Sequence, residues 1–228
     1  FTSVTRSEGG DKARVIGSIA DVLVAPEDPE AVIDQMADPA IRIVSLTITE
    51  KGYCLNAAGR LDLSHPDVAR DLADPSHPRT AMGLIAAALE VRRQAGEAPF
   101  TVLSCDNLPS NGALMRQVVL DYAQAVMPEL ATWIEESVPF PATMVDRITP
   151  ATTEGDIAAL EAQAGYHDPG MVVHEAFRQW VIEEDFVGGR PAWEAAGAQF
   201  VADVEPHELM KLRCLNGTHS TLAYLGYL

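Results

Sequence analysis

Two short apolar runs, Ile41 to Thr49 (IRIVSLTIT) and Phe100 to Cys105 (FTVLSC), constrain this chain more than any other feature. Both are rich in β-branched residues and continuous rather than alternating in apolar character, which is the pattern of strands covered on both faces. Between them, Thr80 to Gln94 places Met82, Leu84, Ile85, Ala88 and Leu89 at helical spacing, and Gly96 ends the segment. Strand, helix and strand in that order predict a βαβ unit with parallel strands.

The pattern continues on either side. Ala13 to Ala25 contains a further β-branched run, and Pro26-Glu27-Asp28-Pro29 opens a helix that runs through Met36. Gly52 to Pro78 reads as long and irregular, with turns at Pro66, Pro75 and Pro78. Helices are predicted over Asn111 to Val126 and Thr153 to Ala164, and a strand over Gln199 to Val204. Short apolar segments stand at Met171 to Val173 and Trp180 to Ile182, with a turn at Gly188-Gly189. Pro206 to Leu228 reads as one long helix, with Pro206 in its first turn and Glu208 near its positive end. The fold class is therefore α/β: a parallel sheet with flanking helices, leading into a mostly helical C-terminal region. Three strand tips, Thr49-Glu50, Cys105-Asp106-Asn107 and Met144-Val145-Asp146, are expected to project toward the carboxyl edge, where open α/β sheets bind ligands.

Composition narrows the partners. With 33 acidic against 16 basic residues the net charge is −17, a surface that repels phosphate backbones and anionic lipid, so neither nucleic acid nor membrane is expected as a partner. No apolar stretch reaches the length of a membrane span, and the chain opens without a signal-peptide pattern. Three cysteines, Cys54, Cys105 and Cys214, form no short-range pair and suit reduced thiols in a cytoplasm. His174-Glu175 and His207-Glu208 each begin like HExxH but lack the second histidine, so no catalytic metal is expected.

Chemistry concentrates in three segments. Lys211-Leu212-Arg213-Cys214-Leu215-Asn216-Gly217-Thr218-His219 places an amine, an amide and an imidazole on one side of an ideal helix, at roughly 0°, 140° and 80°. Leu212, Leu215, Leu222 and Leu225 are free to face elsewhere and bury. The same spacing also describes an ordinary helix with a snorkelling lysine and a core histidine. Ser104 to Gly112 (SCDNLPSNG) is a polar loop after a buried strand, which reads either as a functional loop or as helix capping by Ser110 or Asn111. Phe140 to Pro150 holds an Asp146-Arg147 pair that is either functional or a structural ion pair.

SCDNLPSNG, FPATMVDRITPAT and KLRCLNGTHSTLAYLGYL, in that order, resemble the polyol-specific long-chain dehydrogenases of the mannitol dehydrogenase family. TITEKGYC (Thr47 to Cys54) and FRQWVIEEDF (Phe177 to Phe186) extend the likeness through nearly the whole chain. The resemblance implies a Rossmann-type domain followed by a helical substrate domain, divided here as residues 1–204 and 205–228. It implies hydride transfer between NAD and a secondary alcohol carbon of a sugar acid or polyol, without metal. It makes Lys211 the general acid/base, Asn107 and Asn216 the amides that hold the reacting oxygen, and His219 a substrate-orienting residue. Asp146 and Arg147 are carried over as substrate contacts, Glu50 and Glu208 as active-site acids or a proton relay, and Thr49 as a cofactor contact. TEKGYC and LNGTHSTLAYLGYL lean toward mannonate/fructuronate chemistry, with mannitol/fructose as the alternative. The expected assembly is a monomer or small homo-oligomer.

No G-x-G-x-x-G occurs in these 228 residues, and the residue that separates NAD from NADP normally follows that loop. With the uncapped apolar ending Leu225-Gly226-Tyr227-Leu228, this predicts that the chain is the interior of a longer enzyme; the alternative is that the chain as given is a catalytically inactive fragment or scaffold.

Overall fold

The computed structural model describes residues 1–226, apart from the side chain of His219. In chain order the elements are β1 (Thr2–Arg6), β2 (Lys12–Val15), α1 (Pro29–Ala37), β3 (Ile43–Leu46), α2 (Thr49–Gly52), α3 (Pro66–Ala73), α4 (Ala81–Ala95), β4 (Thr101–Ser104), α5 (Asn111–Val126) and α6 (Pro128–Ser137). Then come β5 (Thr143–Asp146), α7 (Glu154–Ala164), β6 (Val172–Glu175), β7 (Gln179–Glu183), β8 (Gln199–Val201), α8 (Glu205–Met210), a π-helical segment (Lys211–Asn216) and α9 (Gly217–Leu225). The strands form the sheets β2-β1-β6, β3-β4 and β5-β7-β8. β1–β6, β3–β4 and β7–β8 are parallel pairs, and β1–β2 is antiparallel.

The chain divides into two compact units, Phe1–Val22 with Val145–Gln179, and Leu23–Met144 with Trp180–Leu228. In the first, Val4, Leu160, Met171 and Val173 form a small apolar core. Its helix α7 starts with a reciprocal cap: the Thr153 hydroxyl accepts from the Asp156 amide, and the Asp156 carboxylate accepts from the Thr153 amide. The Thr153 hydroxyl donates to the same carboxylate at 2.7 Å, and Arg6 donates to it at 2.7 Å. These bonds, the Thr153 hydroxyl first, hold Asp156 down at about 2 from an ordinary 3.8. A carboxyl depressed by folding stabilises the native state above its unfolded value, and the contribution fades as pH falls toward about 2. Thermal melts of Asp156→Asn should therefore fall below the parent near neutrality and converge with it near pH 2. A gap that does not change with pH would refute this.

The second unit carries the main core, built from Tyr53, Met82, Ile85, Leu89, Phe100, Val102, Met115, Val119 and Ile134 among others. Here β3, α4 and β4 form the predicted βαβ unit, with Ile43 to Leu46 paired in register with Thr101 to Ser104. The helix α4 starts at Thr80, whose hydroxyl accepts from the Gly83 amide, and stops at Gly96 in the left-handed region (φ 72°). Buried Arg92 on α4 donates to the carbonyls of Met36, Asp38, Ile41 and Ala98, tying the α1–β3 loop to the end of α4.

Three expectations are corrected. Ala13 to Ala25 gives only the end of β2, and Ile19, Val22, Leu23 and Val24 are exposed, because β-branched composition without a pairing edge does not make a strand. The Gly52 to Pro78 segment contains α3, which uses Pro66 in its first turn instead of being broken by it. The final helix is not a continuous α-helix: its middle turns, Lys211–Asn216, are π-helical. Leu212, Leu222 and Leu225 are exposed and only Leu215 is partly buried, so most of the face expected to bury stays open.

Candidate functional site

Thr49, Glu50, Asn107, Lys211 and Glu208 lie around the carboxyl ends of β3 and β4 in the second unit. Parallel pairing brings the two tips side by side, and the Cys105 amide continues the ladder to the Leu46 carbonyl at 2.8 Å. The chain then turns sharply in both places. Thr49 has φ 62° and Ser110 has φ 50°, a conformation that costs a non-glycine residue about 1–3 kcal/mol and persists only when its surroundings enforce it.

The enforcement at Thr49 comes from Asp106. This carboxylate is 6% exposed and accepts from the Thr49 amide at 2.7 Å and the Ile48 amide at 3.3 Å. It also accepts from the hydroxyl of fully buried Tyr53 at 2.9 Å, and that oxygen lies 2.6 Å from the Ser104 hydroxyl. Burial, partly opposed by the Ser104 bond, pushes the Tyr53 phenol well above its ordinary value, which keeps it protonated as a donor. The main chain of Asp106 is held too, its carbonyl accepting from the Asn111 amide at 2.8 Å.

Asn107 follows directly. Its Oδ1 accepts from Lys211 Nζ at 2.9 Å. Three residues further along the loop, the Ser110 amide donates to both oxygens of Glu208 at 3.1 and 3.3 Å. A loop pair three apart thus meets a helix pair three apart, running in opposite directions: 107 with 211, and 110 with 208. This fixes the start of the C-terminal helix against the β4–α5 loop. Burial, with the negative charges of Glu183, Glu205 and Asp203, holds the Glu208 carboxyl above the usual range, although the Ser110 amide opposes it. Glu208 lines a cavity of about 420 Å³ with Ser110, Arg116, Glu183 and Asp203. A separate apolar cavity of about 370 Å³, lined by Ile33, Ala86, Tyr122 and Met127, includes none of the predicted site residues.

The π-helical segment changes the geometry of the K-x4-N motif. An i→i+5 register, closed here by the Gly217 amide on the Leu212 carbonyl, turns less per residue than an α-helix. Lys211 and Asn216 are five apart, so they share a face more closely than the 140° of an ideal α-helix. Lys211 is half-buried, and Asn107 and Asn216 are exposed.

Other predicted residues fall as follows. Thr49 and Glu50 begin α2 at the tip of β3, both exposed. Asp146 and Arg147 belong to the first unit, where burial and the charge of Arg178 lower the Arg147 value against the pull of Glu175. The His219 side chain lies outside the described residues. The capping expectation for α5 is corrected: Ser110 stands at the cap without a side-chain bond, and the Asn111 side chain turns inward. There its amide nitrogen donates to the Thr143 carbonyl at 2.9 Å and its oxygen accepts from the Thr143 amide at 2.9 Å. Sequence reasoning missed the Tyr53–Ser104–Asp106 group. Its signal was a serine closing an otherwise apolar buried strand two residues before an aspartate.

Among the described residues no group of three or more His, Cys, Asp or Glu could hold a metal ion, and no helix is long and apolar enough to cross a membrane. All three cysteines are free; burial raises Cys105 to about 11, which leaves it a poor nucleophile.

A parallel βαβ unit with a lysine–amide pair at its carboxyl edge defines an α/β domain, and in open sheets of this kind ligands bind at that edge. The mannitol dehydrogenase Rossmann domain model matches residues 2–195, and the chain belongs to the mannitol dehydrogenase family. It is 57% identical over 218 residues to the uncharacterized oxidoreductase YdfI of Escherichia coli (strain K12), covering 95% of this chain and 45% of that protein. It is 51% identical over 230 residues to D-mannonate oxidoreductase of the same organism, covering 100% of this chain and 47% of the relative. Mannitol 2-dehydrogenase of Pseudomonas fluorescens, solved as a ternary complex with NAD and D-mannitol, matches with a TM-score of 0.91 at 49% identity, covering 100% of this chain and 47% of that one. The chain spans about half the length of these relatives.

Proposed function

We propose that this chain forms the catalytic edge of a metal-independent secondary-alcohol dehydrogenase that uses NAD and acts on D-mannonate/D-fructuronate. The observation that carries this reading is the 2.9 Å bond between Lys211 Nζ and Asn107 Oδ1, which joins the C-terminal helix to the tip of β4. Residues 1–204 serve as the Rossmann-type domain and residues 205–228 open the substrate domain. Free thiols at all three cysteines support a cytoplasmic setting.

The residues present fit the nicotinamide end of the cofactor: the strand-tip edge offers Thr49 and Asn107 beside a lysine amine. When bound, the nicotinamide ring supplies the hydride acceptor or donor. Lys211 takes the proton from the substrate hydroxyl in oxidation and returns it in reduction. An amide whose oxygen is engaged by the lysine keeps its NH2 as a donor, so Asn107 and Asn216 can hold the alkoxide-like oxygen, each contributing about 3 kcal/mol in such a role. Glu208, three residues from Lys211 and facing a cavity lined with carboxylates, relays the proton outward, with Glu50 as a further acid at the edge. His219 orients the substrate.

The mannonate assignment is supported by the relative named D-mannonate oxidoreductase at 51% identity over the full chain. The mannitol/fructose alternative is supported by the structural neighbour solved with D-mannitol. The test is NAD(H)-dependent turnover of both substrate pairs by the intact protein containing this chain, with EDTA present. D-mannonate should be oxidised faster than D-mannitol, and EDTA should change neither rate. A preference for mannitol would transfer the assignment to the alternative, and loss of activity in EDTA would overturn the lysine mechanism.

A further inference from the structure

Resting on that reading, we infer that Asp106 is a positioning residue for the reaction, aligning the two strand tips and aiming Asn107 at Lys211. Asp106 directly precedes Asn107 in the loop after β4. Its carboxylate spans from the tip of β4 to the tip of β3, where it accepts the Thr49 and Ile48 amides.

Three features make it more than a loop bond. First, the donors that converge on it are neutral: two backbone amides and the Tyr53 hydroxyl, with Ser104 Oγ at 3.5 Å. A nearly buried carboxylate supported by neutral donors is costly to desolvate and yields strong, directional bonds, because a charged acceptor strengthens each of them. Second, the carboxylate is itself held from behind by Tyr53, fully buried in the main core. Third, its own carbonyl is fixed by Asn111, whose amide also clasps both the amide and the carbonyl of Thr143. Residue 106 is therefore immobilised at side chain and main chain together, and residue 107 begins from a fixed Cα. The left-handed Thr49 turn, which also sets where Glu50 stands, is maintained by the same carboxylate.

The aspartate is required rather than asparagine. An amide at 106 has one acceptor oxygen where three donors converge, and its NH2 faces either the Thr49 amide or, in the other orientation, the Ile48 amide beside the Tyr53 hydroxyl. The expected consequence of Asp106→Asn is a misaimed Asn107, which acts on turnover and not on substrate affinity.

The experiment is a double-mutant cycle in the intact protein, with Asp106→Asn and Asn107→Ala measured singly and together, and Lys211→Ala as a control. Asp106→Asn should lower kcat by about 100-fold with KM for the sugar changed less than about threefold, and should move the acidic limb of the kcat/KM pH profile. In the Asn107→Ala background the same substitution should cost less than about fivefold, because a residue that acts through Asn107 has nothing left to aim. An equal loss in both backgrounds would overturn the inference and leave Asp106 a structural residue. If Asn107→Ala and Lys211→Ala both retain parental turnover, the proposed mechanism itself fails, a result independent of the Asp106 cycle. Should Asp106→Asn not fold, Tyr53→Phe replaces it in the cycle. That variant removes one donor at constant shape, and about a tenfold loss that vanishes in the Asn107→Ala background is expected, with additivity again refuting the inference.

Discussion

Replacing Lys211 with alanine should lower kcat by about three orders of magnitude, equivalent to about 4 kcal/mol of transition-state stabilisation. Two losses combine in this figure. The proton acceptor disappears, and Asn107 loses the Nζ donor that holds its oxygen at 2.9 Å. Arginine at position 211 should be equally inactive despite keeping the positive charge, since a guanidinium stays protonated at any working pH and cannot accept the hydroxyl proton. Added small primary amines should restore part of the turnover of the alanine variant in a concentration-dependent way, and should leave the arginine variant unchanged. Because the side chain is half-buried at the surface of the helix, the alanine variant should melt within about 2 °C of the parent. A kcat within about tenfold of the parent would remove Lys211 from the chemistry.

Gly112→Ala should destabilise the fold by about 3 kcal/mol. A Cβ at this position would lie 2.4 Å from the Phe140 carbonyl oxygen, 2.7 Å from the Ala142 nitrogen and 2.7 Å from the Pro141 carbonyl carbon. All three are backbone atoms, so no rotamer change relieves the overlap, and either α5 or the 140–142 segment must move. The helix start is also where the Asn111 side chain clasps Thr143 and the Asp106 carbonyl, so displacement reaches the active edge. The melting temperature should fall by roughly 6–12 °C, with turnover lost in parallel. A variant that melts with the parent would show that the segment yields at no cost. Gly96→Ala makes an informative comparison. No atom lies within 4 Å of where its new methyl group would stand, so the cost comes only from the left-handed φ of 72° and should be near about 1 kcal/mol.

Local signals read well wherever residue chemistry acts over a few positions. Thr80 and Gly96 bracket α4, Thr153 caps α7, and α5 runs over the predicted Asn111 to Val126, because caps and apolar periodicity act within a turn or two. The runs around Ile43 and Thr101 form strands because they pair in parallel, β4 buried throughout and β3 only in part. Failures came where the outcome depends on a distant partner. Ala13 to Ala25 has strand composition but gains an edge only at its start, and Pro66 opens α3 because Val68 and Asp71 bury against the rest of the unit.

The site divides along the same line. The amino-acid sequence by itself determined the βαβ unit, the family, and which residues carry reactive groups: a lysine, two amides and several carboxylates at strand tips and along one helix. Tertiary structure alone decided how they meet. The Lys211–Asn107 bond joins residues 104 positions apart, and the Asp106 bonds to Ile48 and Thr49 cross from one strand tip to the other. The π register that brings Lys211 and Asn216 nearer to one face is a property of the folded backbone, invisible to a periodicity fixed at 3.6 residues per turn. Residue identity sets what each group can donate, accept or bury, whereas the distances between groups far apart in sequence follow from how the strands pair and the helices pack.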